Sequence, residues 1–143
     1  MTSQDVVSNL YDAVDRTQRF DEQRFRQWTD ILGCRPDAEV FDALYSVFTN
    51  PDRDRTRYLD QEYAGRLLFA VAPDCSVDPG STIRKVLAMW DLSIEQLPWY
   101  FEEVLGTEAL RAIFAEIDTM ALSEMERRAL ETMRYWLRAT NRR

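Results

Sequence analysis

There is no histidine in this sequence of 143 residues, and one lysine stands against 17 arginines. Without an imidazole the chain lacks the commonest general base near neutral pH, the usual catalytic triads and most zinc sites. Its four glycines lie far apart, at 33, 65, 80 and 106, which excludes the glycine patterns that cradle phosphates or dinucleotides. There are two cysteines, Cys34 and Cys75, fewer than a disulfide-dependent secreted domain carries, so both are expected as buried free thiols. Cys34 and Cys75 remain candidate nucleophiles, Cys34 the better placed because Arg35 adjoins it, against the plainer role of a small apolar residue at a helix junction. The longest uninterrupted apolar run is 67–72, far short of the roughly 18 residues that suggest a membrane span. The first five residues have neither the basic start nor the apolar stretch of a secretory signal, so no membrane contact and a cytoplasmic location are the expectation.

What the chain does have is helical spacing. Apolar residues recur at intervals of three and four, the period that gathers them on one face of a helix. Ser3 is a candidate cap for a first helix carrying Val6, Val7, Leu10, Tyr11 and Val14. Asp21 caps a second, with Phe20 and Phe25 as a hydrophobic staple and Gly33 at its end. Pro36 and Asp37 open a third that bears Val40, Phe41, Leu44, Tyr45 and Phe48 and stops at Asn50, before Pro51. Residues 51–57 alternate in charge sign and read as a hydrated loop. Asp52 and Asp54 have the spacing of a calcium loop, but position six is Arg57 and position twelve is Tyr63, so the ligands fail.

Residues 58–72 form the candidate central helix: it carries Leu59, Tyr63, Leu67, Leu68 and Val71, and its late, near-continuous apolar run points to burial on more than one side. Residues 73–80 hold two prolines, two aspartates and a glycine, the chemistry of a turn and of a possible hinge between two helical halves. A fifth helix carries Ile83, Val86, Leu87 and Trp90. Ser93 and Gln96 match a capping box with Leu92 and Leu97 as its staple, but Pro98 would kink that helix or restart it. Thr107 is a candidate cap for Leu110, Ile113, Phe114 and Ile117, and Ser123 with Glu126 boxes the last helix. The two boxes lie 30 residues apart, but nothing beyond the cap recurs, so a repeat is rejected. The predicted fold is all-α: one domain over 1–143, an irregular orthogonal bundle of about seven or eight short helices.

Charge is distributed unevenly. The net charge is −7, which argues against general affinity for nucleic acid or anionic lipid. Residues 91–122 hold seven acids (Asp91, Glu95, Glu102, Glu103, Glu108, Glu116 and Asp118) and one base, Arg111, whereas the last 21 residues hold six arginines and three glutamates. The acidic stretch also contains Trp99, Tyr100 and Phe101 in a row. Successive helical residues turn by about a hundred degrees, so three neighbours cannot share one face. Either one of them looks outward as an anchor, or Trp99 and Phe101 are core with Tyr100 half-buried. Glu102 and Glu103, being adjacent, cannot form a paired-carboxylate site unaided.

These features lead to an expectation of a non-enzymatic protein-binding module without a cofactor or metal. A basic partner would be neutralised or adapted by an acidic, aromatic-bearing face, in the manner of immunity or inhibitor proteins. The candidate partner-binding residues are Asp91, Glu95, Trp99, Tyr100, Glu102, Glu103 and Glu108. The alternatives are a helical carboxylate-based metal protein or enzyme, and a homo-oligomer in which the basic end (Arg127, Arg128, Arg134, Arg138, Arg142 and Arg143) meets the acidic stretch of a second copy.

Overall fold

The computed structural model describes residues 1–16 and 19–139. Over them the chain forms eight α-helices and no strand: α1 (Ser3–Asp15), α2 (Glu22–Gly33), α3 (Asp37–Phe48), α4 (Arg57–Val71), α5 (Pro79–Val86), α6 (Gln96–Leu105), α7 (Thr107–Asp118) and α8 (Glu124–Arg138). A single 3-10 turn, Asp54–Thr56, leads into α4. The predicted all-α bundle is therefore the observed architecture. No helix among the described residues is long and apolar enough to cross a membrane.

Helix ends follow local chemistry, with three corrections. Asp21 accepts the backbone N–H of Arg24, and Phe20 meets Phe25 edge-on at 5.7 Å, so α2 starts on the predicted cap and staple. Ser123 and Glu126 form the expected reciprocal capping box on α8. The cap of α1, however, is Thr2, which boxes with Asp5. Ser3 is already helical and fully buried, and its hydroxyl donates to Glu39 Oε2 at 2.6 Å, so a long-range bond replaces the expected cap. Thr107 is likewise the first helical residue of α7; its cap is Gly106, whose φ of +88° is left-handed backbone that glycine adopts without strain.

The third correction concerns Ser93. Its hydroxyl and its backbone N–H both turn back onto Asp91 Oδ1, and no capping box forms. Helix α6 starts three residues later, at Gln96, which places Pro98 in the first turn. There a missing N–H costs nothing, because the first turn has no carbonyl to bond.

Helix α4 is the centre of the bundle and packs against α1, α2, α3 and α6. Its inner face starts with two polar residues, Asp60 and Gln61, and continues through Tyr63, Ala64, Gly65, Leu67 and Leu68. Gly65 permits the close approach to the start of α6: a Cβ there would lie 3.0 Å from Ile94 Cγ2 and 3.4 Å from Gln96 Cβ. The connection at 73–80 is bonded to both sides of the molecule. Asp74 N donates to Asp37 Oδ2 of α3, and the Pro73 carbonyl accepts from Tyr100 of α6. Pro79 and Gly80 already belong to α5, which Asp78 caps. One hydrophobic cluster runs from Val6 in α1 to Met133 in α8.

Candidate functional site

The acids between Asp91 and Asp118 do not share one surface. Asp91 and Glu95 lie in the approach to α6, near the first turn of α4. The buried amide of Gln61 fixes this approach, donating to the Met89 carbonyl at 2.9 Å and accepting the Asp91 N–H at 2.7 Å. Glu102, Glu103 and Glu108 sit where α6 passes into α7, and Glu116 and Asp118 lie at the far end of α7. With a rise of about 1.5 Å per residue, the length of α7 separates Glu108 from Asp118 by roughly 15 Å. Asp118 is also neutralised locally, accepting from Arg134 at 2.6 Å, which lowers its pKa.

The aromatic anchors expected at Trp99 and Tyr100 are not on the surface. Trp99 is 3% exposed and Tyr100 fully buried. Trp99 lies on the same side of α6 as Glu95 and Glu102 by helical spacing, but Phe69 of α4 covers it at 5.8 Å and its indole N–H donates to the Trp136 carbonyl of α8. Tyr100 stacks near Phe41 and meets the Phe101 ring at a tilt. Burial first, then nearby carboxylates and the Cys75 thiol, holds its phenol well above the ordinary tyrosine pKa. Both residues therefore join elements of the bundle and offer almost no surface to a partner.

The exposed aromatic beside the acids is Tyr58, 47% exposed and followed by Leu59 at 40%. Glu62 lies one helical turn further along α4. Its carboxylate faces the Tyr58 phenol, and Asp91 and Glu95 add to the negative field, so the tyrosine pKa lies above its usual value. The sequence pattern counts Leu59 among the apolar residues of the central helix. In the structure Asp60 and Gln61 begin its inner face because each finds buried partners, and Leu59 turns outward. The signal available in the sequence was the i to i+4 spacing of Tyr58 and Glu62 directly after a charged loop. Beside this patch a groove of about 380 Å³ opens between α4, the α5–α6 connection and α8, lined by Arg57, Trp90, Asp91, Leu92, Met125 and Arg128 among others. Arg57 Nε is buried there without a hydrogen-bond partner among the described residues.

A second concavity, of about 280 Å³, lies between α7 and α8. Its lining holds Glu102 together with Arg111, Arg134 and Arg138, so acidic and basic side chains alternate here. Arg127 and Arg128 are exposed on the opposite end of α8, while Arg142 and Arg143 lie outside the described residues.

The thiols also differ from expectation. Cys34 is exposed at the end of α2; Cys75 is half-buried, and burial raises its pKa to about 11. Among the described residues no three Cys, Asp or Glu side chains are grouped to hold a metal ion. No family model, no curated protein and no solved structure matches this chain.

Proposed function

We propose that the chain is a non-enzymatic protein-binding module that neutralises or adapts a basic partner, as immunity and inhibitor proteins do. The contact surface on this reading is the patch made by Tyr58, Leu59, Glu62, Asp91 and Glu95, with Glu102, Glu103 and Glu108 as a second, more distant acidic group.

The observation that carries it is an exposed tyrosine and leucine side by side within a set of three carboxylates. Tyrosine combines a large apolar area with a polar tip and is enriched among the residues that dominate interface energetics. Surrounding acids steer a cationic surface into place and reject acidic competitors. The rest of the molecule supports the reading through its net charge of −7, which disfavours phosphate-bearing partners.

The test is affinity capture with the tagged chain, followed by titration of the recovered partner against variants. The expected partner has a basic surface, and its affinity falls steeply with salt. Tyr58→Ala combined with Glu95→Lys should weaken it by at least about a hundredfold, since an anchor and a steering charge are lost together. Glu102→Lys with Glu103→Lys should weaken it less. If the Tyr58 and Glu95 changes leave affinity and salt dependence unaltered, this surface is not the contact. If the recovered partner is acidic or binds independently of salt, the neutralising mechanism is wrong.

A further inference from the structure

Residues 91–122 contain a single base, Arg111, and that base stands on the wall of the α7–α8 cleft together with Arg134 and Arg138. Three guanidinium groups around one small cavity repel one another, so the arrangement needs a counter-charge. The fold supplies one fully only to Arg134, which pairs with Asp118 at 2.6 Å and Glu131 at 2.7 Å and lies over the Phe114 ring at 5.5 Å from its centroid. Arg111 and Arg138 are both exposed and make no ion pair or hydrogen bond among the described residues. Glu102 also lines the cleft and accepts the Thr107 hydroxyl at 3.4 Å. Leu110, Phe114 and Leu137 give the cleft an apolar lining.

We propose that this cleft binds a small organic anion, a carboxylate carried on an aromatic or branched aliphatic body. The planar forks of Arg111 and Arg138 match a carboxylate in charge and geometry. The leucines and Phe114 take the body of the ligand, as apolar linings do in small-molecule sites. A volume of about 280 Å³ is at the small end of the usual range of roughly 300–1,000 Å³. An extended polyanion is disfavoured, because Glu103 and Glu108 are exposed at the α6–α7 junction beside the cleft. The site is separate from the Tyr58 patch and shares with the proposed contact surface only Glu102 of its second acidic group, so either can fail without the other.

Phenylacetate is the probe, titrated into the intact chain by calorimetry, with 2-phenylethanol as its uncharged analogue and acetate as the head group alone. Saturable one-to-one binding is expected for phenylacetate, weakened by salt and at least about tenfold weaker for either control compound, the loss of one charge-assisted contact or of the apolar body. Arg111→Ala and Arg138→Ala should each weaken phenylacetate by about tenfold or more without changing the denaturation midpoint. Arg127→Ala, on the same helix but outside the cleft, should leave the affinity unchanged. The proposal is overturned if phenylacetate shows no saturable binding at tens of millimolar, if 2-phenylethanol binds as tightly, or if neither cleft arginine matters.

Discussion

The hydroxyl of Tyr100 in α6 donates a 2.6 Å hydrogen bond to the carbonyl oxygen of Pro73, and both residues are buried. This bond ties the turn that follows the central helix to α6, which packs against that helix. Tyr100→Phe keeps the ring and its packing but leaves a buried carbonyl without its donor. The expected cost is about 1–3 kcal/mol of folding stability. Urea denaturation checks it: the midpoint should fall while the slope stays the same. An unshifted midpoint would mean that the carbonyl does not depend on this hydroxyl.

Arg53 joins two carboxylates of very different environment. Its Nε reaches Asp60 Oδ2 at 2.8 Å and its Nη2 reaches Asp15 Oδ1 at 2.9 Å, while the guanidinium lies 4.1 Å from the centre of the Tyr11 ring. The Asp60 side chain is 3% exposed and that of Asp15 is 52% exposed. Asp60→Ala leaves the Arg53 guanidinium, itself 19% exposed, with only the water-screened Asp15, so the loss of the buried charge-assisted bonds should cost about 1–3 kcal/mol. Asp15→Ala should cost a small fraction of that, because water already screens the pair. A double-mutant cycle with Arg53→Met measures the two couplings, and equal values would refute the burial argument.

Much of the fold could be read before any coordinates, because Val40, Phe41, Leu44 and Phe48, or Leu110, Phe114 and Ile117, repeat with the period of a helix and little else competes. The misplacements of Ser3 and Leu59 share a cause. Ser3, Asp60 and Gln61 are polar residues whose partners, Glu39, Arg53 and Met89, are distant in the chain or reached by a turn that local pattern does not encode. The candidate surface was legible as charge but not as geometry. The stretch from Asp91 to Asp118 is acidic, yet whether its aromatics faced outward depended on Phe69 and Trp136, contributed by other helices. Tyr58 escaped notice because a tyrosine opening a buried helix looks the same, in sequence, as one that stays at the surface.

Glu39 predicts a pH dependence. It accepts from Arg35 Nε at 2.8 Å and Nη2 at 2.9 Å and from the Ser3 hydroxyl at 2.6 Å. Those bonds, the Arg35 pair first, hold its pKa at about 2 against an ordinary 4.5. A carboxylate depressed in the folded state contributes stability above its unfolded pKa and loses it as pH falls through the folded one. The contribution should therefore be complete above pH about 4.5 and fade toward pH about 2. Glu39→Gln removes it, so the stability gap between wild type and variant should narrow over that interval. A gap independent of pH would contradict the assignment.

The two thiols should separate cleanly in a labelling experiment. Cys34 is exposed where α2 ends, and Cys75 is half-buried with its pKa raised to about 11 by desolvation. Thiol chemistry proceeds through the thiolate, so at neutral pH Cys75 offers both little access and little of the reactive form. Titration of the folded chain with an aromatic disulfide reagent should give one fast equivalent, lost in Cys34→Ser, and a second at least about tenfold slower. The slow phase should accelerate as pH rises toward about 11, and it should merge with the fast one in denaturant. Equal rates in the folded protein would place Cys75 at the surface, against the packing of the loop between α4 and α5.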